Sequence, residues 1–189
     1  MRWQQLFADL QAQFEAEEAA AEQAESASRA RAEIGALGIA DRLRGALGFP
    51  LVLGCGGAGA VGGTLVEVGA DWLLIEEDGA RQTLVATSTV RTVSGLGRRT
   101  LVAGPAGPVR VRLDLRRALR GLARDRSAVQ IVLDDGSVLS GTLDRVGADY
   151  VELAEHPTDV PRRAEAVQGV RAVVIGAIAV VRTVTAGFG

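Results

Sequence analysis

One nine-residue phrase occurs twice in this chain. Gly63-Thr-Leu-Val-Glu-Val-Gly-Ala-Asp71 and Gly141-Thr-Leu-Asp-Arg-Val-Gly-Ala-Asp149 agree at seven of nine positions, and each is followed by an aromatic residue, Trp72 or Tyr150. The same offset runs upstream without a gap, setting Leu51 to Gly63 against Val129 to Gly141. Downstream, Val90-Arg-Thr-Val93 recurs as Val181-Arg-Thr-Val184 at an offset larger by 13 residues, which places an insertion in the second copy, in the polar stretch around His156 to Gln168. A chain of 189 residues with this internal repeat is expected to fold as two small units of one kind.

Periodicity gives each copy its elements. In the second, Val129 to Leu133 reads as a strand, Asp134-Asp-Gly136 as a tight turn, Val138 to Val146 as a long strand and Tyr150 to Ala154 as a third, with two more between Arg171 and Val184. A short helix precedes each copy: Ile39 to Leu47, with Leu43 and Leu47 on one face and Gly48 and Pro50 ending it, and Leu115 to Arg124, with Leu115, Ala118, Leu119 and Leu122 on one face. Between the copies, Gly104-Pro-Ala-Gly-Pro108 reads as a linker, since it suits neither helix nor central strand. Residues 2 to 32 hold no Gly or Pro, and Trp3, Phe7, Leu10 and Phe14 recur at helical spacing, so a helical arm with one apolar stripe is expected there. Its later turns carry Glu15, Glu17, Glu18, Glu22 and Glu25 with only Ala for a stripe, so the arm needs another surface, either on its own chain or on a second copy.

A helix followed by five short strands, with Asp-Gly in the first turn and Gly-x-Leu-x-x-Val-Gly-x-Asp leading into the third strand, resembles the Sm-like family over Ile39 to Val93 and Leu115 to Val184. The layout is also similar to that of proteins from high-GC Gram-positive bacteria. The resemblance implies a mainly β fold with helices: two tandem Sm-like five-stranded bent-sheet barrels, each preceded by a short helix, plus the N-terminal arm. The expected boundaries are 1–37 for the arm, 38–98 for the first barrel, 99–112 for the linker, 113–185 for the second barrel and 186–189 for a tail. In the family, strand edges pair between subunits to make rings. Family members that bind uridine-rich RNA carry an Asp and an Asn between the second and third strands, and an Arg-Gly pair between the fourth and fifth. Aligned here, the Asp position falls at Gly69 and Gly147, the Asn position at Leu73 and Val151, and the Arg-Gly pair at Ala86-Thr87 and Ala177-Ile178. The resemblance therefore carries over the barrel and not the usual base-recognition set.

Catalysis finds little material. One Cys and one His, Cys55 and His156, lie far apart in sequence, and no His/Cys/Asp/Glu cluster has ligand spacing, so no enzyme, metal or cofactor is expected. Gly54-Cys-Gly56-Gly-Ala-Gly59 satisfies G-x-G-x-x-G, yet the dinucleotide fingerprint needs a helix next, whereas Ala60 to Val68 aligns with a strand of the other copy. Asp134-Asp135 is where a hairpin turn uses Asp for local hydrogen bonds. A single cysteine excludes an intrachain disulfide and fits a reducing, cytoplasmic setting. The longest apolar run, Ala172 to Val181, is too short to span a membrane and reads as core strands.

Charge is the remaining clue. The net charge of -2 excludes a global basic field, and all 21 basic residues are Arg, as a GC-rich coding sequence produces. Locally, Arg110, Arg112, Arg116, Arg117, Arg120, Arg124 and Arg126 crowd together with only Asp114 and Asp125 against them. Most fall off the apolar face of the second pre-barrel helix, where they are candidates to hold phosphates, or else to pair with the acidic arm or stay solvated. Trp72 and Tyr150 are candidates either for stacking on bases or for capping a barrel end. The expected function is a non-enzymatic binding protein, a regulatory or accessory factor associated with single-stranded RNA or DNA through Arg112, Arg116, Arg117, Arg120, Arg124, Trp72 and Tyr150. The alternative is a protein-protein adaptor or assembly module without RNA recognition. Homo-oligomers through the arm or the strand edges are compatible with either.

Overall fold

The stretch without Gly or Pro that opens the chain is helix throughout. A computed structural model of the protein describes residues 2–79, 81–97, 113–157 and 168–183, and in it α1 runs Arg2–Ala36 with no buried residue. Ala, Glu and Gln sustain it by intrinsic propensity, helped by the i,i+4 pair Arg29–Glu25 at 3.0 Å. Its 35 residues make the described part of the chain a mix of helix and strand, 37% helical against 42% strand among the described residues, where a mainly β fold with helices was expected. The chain divides into two compact units, Met1–Ile39 and Ala40–Gly189.

The second unit is built on one ten-stranded antiparallel sheet. Its elements after the short helix α2 (Ile39–Arg44) are β1 (Pro50–Cys55), β2 (Gly59–Val68), β3 (Trp72–Glu77), β4 (Arg81–Ala86), β5 (Val90–Ser94), α3 (Leu115–Asp125), β6 (Ala128–Leu133), β7 (Val138–Val146), β8 (Tyr150–Glu155), β9 (Gly169–Val174) and β10 (Ile178–Thr183). The strand order is β5-β1-β2-β3-β4-β10-β6-β7-β8-β9, so both halves run fifth, first, second, third, fourth. The expected linker, Gly104 to Pro108, lies outside the described residues, as does Arg112.

Irregularities repeat along with the strands. The register shifts between Leu65 and Glu67 in β2 and between Leu143 and Arg145 in β7, equivalent positions in which an extra residue bends the long strand. Gly63 and Gly141, on the same two strands, have no room for a side chain: a Cβ would run into the Glu76 carbonyl oxygen in one and the Ala154 carbonyl oxygen in the other. The repeated glycines thus let β3 and β8 close on a bent neighbour.

Pairing corrects one alignment. Val93 sits opposite Leu53, and Val181 opposite Ile131, so Val181 takes the place of Val93 and not of Val90. The Val-Arg-Thr-Val identity is three residues out of structural register, an odd shift that would exchange the faces of a strand. The excess length of the second copy still falls between β8 and β9.

Two apolar clusters fill the unit, and each borrows from the other half. The first gathers Leu51, Leu53, Val61, Leu65, Leu73, Ile75 and Val85, and takes Val132, Ala179 and Val180 from the second half. The second gathers Leu115, Leu119, Val129, Ile131, Leu143, Val151 and Leu153, and takes Trp72, Leu84 and Ala86 from the first. Exchange occurs at the seam, where β4 pairs with β10: Val85 opposite Val180, Leu84 opposite Val181, Thr83 opposite Arg182.

Candidate functional site

The residues with chemical potential cluster around α3 and the seam beneath it. Asp114 caps α3, accepting the Arg117 N–H on its Oδ1 at 2.9 Å, and Arg126 ends the helix in the left-handed conformation, φ 52°. Leu115 and Leu119 are buried, with Ala118 and Leu122 packed against the same core. That fixes the other side of the helix: Arg117, Arg120 and Arg124 are exposed, three and four residues apart on one face, and Arg116 is half-buried. Among the described residues no ion pair engages Arg116, Arg117 or Arg120, while Arg124 makes a solvent-exposed contact with Asp125 at 3.5 Å.

Asp71 and Trp72 dock α3 onto the first half. The Asp71 Oδ1 accepts the Leu115 N–H at 2.6 Å, and the Trp72 indole N–H donates to the Leu113 carbonyl at 2.7 Å. Trp72 is 5% exposed, so its ring is core and unavailable to stack on a base. Beside it an apolar cavity of about 180 Å³ opens between α3 and the sheet, lined by Leu74, Leu84, Ala118, Leu122 and Val181, with Gln82 and Thr183 as its polar members.

Tyr150 occupies the equivalent position in the second half with a different fate. Both aromatic rings lie over a glycine, Gly69 or Gly147, where any Cβ would strike the ring, and both turns close with a 2.8 Å bond from the glycine N–H to the aromatic residue's carbonyl. Tyr150, however, is 39% exposed. The predicted set therefore splits: arginines on the outer face of α3, Trp72 beneath it, Tyr150 on β8 in the other half.

The glycine-rich hairpin, Cys55, His156 and Asp135 lie elsewhere in the sheet and its turns. Gly54 to Gly59 is the β1–β2 hairpin, with Gly57 and Gly59 at positive φ and a strand, not a helix, following. Cys55 is buried, which pushes its thiol pKa up against the milder lowering by Arg182 and Arg91. His156, 3% exposed, faces the Pro157 carbonyl with Nδ1 at 2.8 Å. A carbonyl only accepts, so Nδ1 carries the proton, and Nε2 receives the Thr142 hydroxyl at 2.7 Å. Asp135 accepts the Ser137 N–H at 2.8 Å, a bond to its charged form that lowers its pKa. No metal-ligating cluster occurs among the described residues, nor any helix long and apolar enough to cross a membrane.

The docking role of Asp71 had no signal in the sequence beyond the repeat itself. No family model, curated protein or solved structure matches the chain.

Proposed function

We propose that the protein is a non-enzymatic binding protein built on two tandem Sm-like barrels, and that it holds single-stranded RNA or DNA through phosphate contacts from α3. The repeated strand order, the paired bulges and the paired glycines support the barrel reading. The observation that carries the ligand reading is the exposed arginine face of Arg117, Arg120 and Arg124, two of which have no ion pair among the described residues. With Trp72 buried, binding rests on charge and is sequence-tolerant and steeply salt-dependent. Fluorescence anisotropy with mixed short single strands across a salt series tests this. Salt-dependent binding lost in the triple variant Arg117→Ala, Arg120→Ala, Arg124→Ala supports it, and absence of binding at low salt removes it.

A second reading has its own observation. On α1, Trp3, Phe7, Leu10 and Phe14 are 72%, 64%, 52% and 67% exposed, an apolar stripe that a helix in water does not keep without a covering surface. It supports a protein-protein adaptor, with the arm as the element that docks.

A further inference from the structure

The large apolar side chains that open α1 occupy one face and only its first turns. Trp3, Phe7, Leu10 and Phe14 follow one another at intervals of four, three and four, the spacing of a coiled-coil seam, with Leu6 at its flank. All five are exposed, and the Trp3 and Phe7 rings are neighbours, their centroids 6.5 Å apart. The next positions in the same spacing are Glu17, Ala21, Ala24, Ser28 and Arg31, so no large apolar residue extends the stripe past Phe14.

Charge restricts what can cover this face. Glu15, Glu17, Glu18, Glu22 and Glu25 follow directly on the stripe, and no basic residue stands among them before Arg29, which pairs with Glu25 at 3.0 Å. The stripe itself is bordered by Gln4, Gln11 and Gln13, which carry no charge. A partner must therefore be apolar and neutral against residues 3–14 and must keep its own carboxylates away from residues 15–25. A second α1 meets the first condition, and its orientation decides the second.

Two copies of α1 can meet in three ways. Parallel and in register, each apolar residue faces itself, but so does Glu17, which puts two carboxylates in the seam and runs the acidic segments side by side. Antiparallel over the whole helix, Trp3 faces Gly35, Phe7 faces Arg31, Leu10 faces Ser28 and Phe14 faces Ala24, and the acidic segments still overlap. Antiparallel over the stripe alone, Trp3 faces Phe14 and Phe7 faces Leu10, so every large apolar residue of the seam meets another. The acidic segments then leave the contact in opposite directions, and Glu17 lies beyond the partner's stripe, in water.

We infer that a second copy of this chain covers the stripe in this last register, antiparallel, with the Trp3–Phe14 and Phe7–Leu10 pairs each formed twice about a two-fold axis. Such a contact is isologous and closes as a dimer. The three rings of each chain, at about 150–250 Å² apiece when fully covered, together with Leu6 and Leu10, give the pair on the order of 1,000 Å² of buried surface. That is near the lower limit for specific association, so the dimer dissociates on dilution. The inference rests on the reading of the arm as the element that docks, and stands whether or not α3 binds nucleic acid.

Sedimentation velocity of the full chain over a wide dilution series should show monomer at low concentration and dimer at high. The double variant Phe7→Glu, Leu10→Glu carries carboxylates into the apolar seam and should stay monomeric throughout, whereas Ala12→Glu, on the opposite face of α1, should still dimerise. Orientation is read from a spin label on Glu22→Cys in a Cys55→Ala background. At 1.5 Å of rise per residue, the two labels stand about 40 Å apart in the proposed register and within about 20 Å in either of the other two. A monomer at every concentration, a dimer lost with Ala12→Glu, or labels within about 20 Å overturns the proposal and leaves the adaptor reading its arm for a different protein. A dimer that survives Phe7→Glu with Leu10→Glu overturns the proposal and removes the arm as the docking element as well.

Discussion

Trp72 donates its indole N–H to the Leu113 carbonyl at 2.7 Å, tying the first residue of β3 to the segment that delivers α3. The same carbonyl receives the Ala70 N–H at 3.2 Å, and the neighbouring Asp71 carboxylate holds the Leu115 N–H. Three consecutive residues of one half thus anchor the helix of the other. Trp72→Phe removes one of these bonds and part of a buried ring, so it should destabilise the fold by about 2 kcal/mol. Tyr150→Phe, at the half-exposed equivalent position, should stay within about 0.5 kcal/mol. Urea titrations of both variants check the contrast.

Gly63→Ala and Gly141→Ala each force a Cβ into a neighbouring carbonyl oxygen on a bent strand. Each should cost about 1–3 kcal/mol, or prevent folding, because backbone cannot step aside as a side chain can. Gly62→Ala, beside Gly63, meets the Val52 Cγ2 at an ordinary 3.6 Å and should be close to neutral. Thermal midpoints of the three variants separate close approach from strand propensity.

These glycines also mark how far the sequence could be read. The repeat aligned β6, β7 and β8 correctly: the expected Val138 to Val146 is β7 as found, and Tyr150 to Ala154 falls one residue short of β8. Turn chemistry and alternation suffice for strands with one wet face. They fail on β10, where Ile178, Ala179, Val180 and Val181 are all buried, so no alternation betrays the register and identity at Val-Arg-Thr-Val misleads. The seam burying both faces of that strand is a long-range pairing that no local signal encodes. For the same reason Trp72 and Tyr150 look alike in sequence yet differ in exposure, since chain order places a helix over only one of them.

The Glu77 carboxylate links both sides of the seam, accepting from the fully buried Thr83 hydroxyl at 2.7 Å and facing Arg182 at 3.5 Å. Glu77→Ala leaves the Thr83 hydroxyl without its acceptor and Arg182 without its partner, and should destabilise by about 1–3 kcal/mol. Thr83→Val removes the buried donor and leaves the carboxylate its arginine, so it should cost less. A double-mutant cycle on Glu77 and Arg182 measures their coupling, which partial exposure limits to about 1 kcal/mol.

Cys55 gives the fold an alkaline limit whose sign follows from its burial. Desolvation raises the thiol pKa in the folded chain, while Arg182 and Arg91 oppose it less strongly. The folded state therefore keeps its thiol proton at a pH where the unfolded chain has lost it. That contribution to stability is complete below the unfolded thiol's pKa and is lost as pH rises through the higher folded value. Every basic side chain is Arg and none is Lys, so few other groups titrate in that window. Urea midpoints between about pH 8 and pH 10 should fall for the wild type and fall less for Cys55→Ala, the difference isolating the contribution of the thiol. In the native state a thiol reagent should label Cys55 only as fast as β1 opens, and equal labelling of folded and urea-unfolded protein would contradict the buried, protonated thiol.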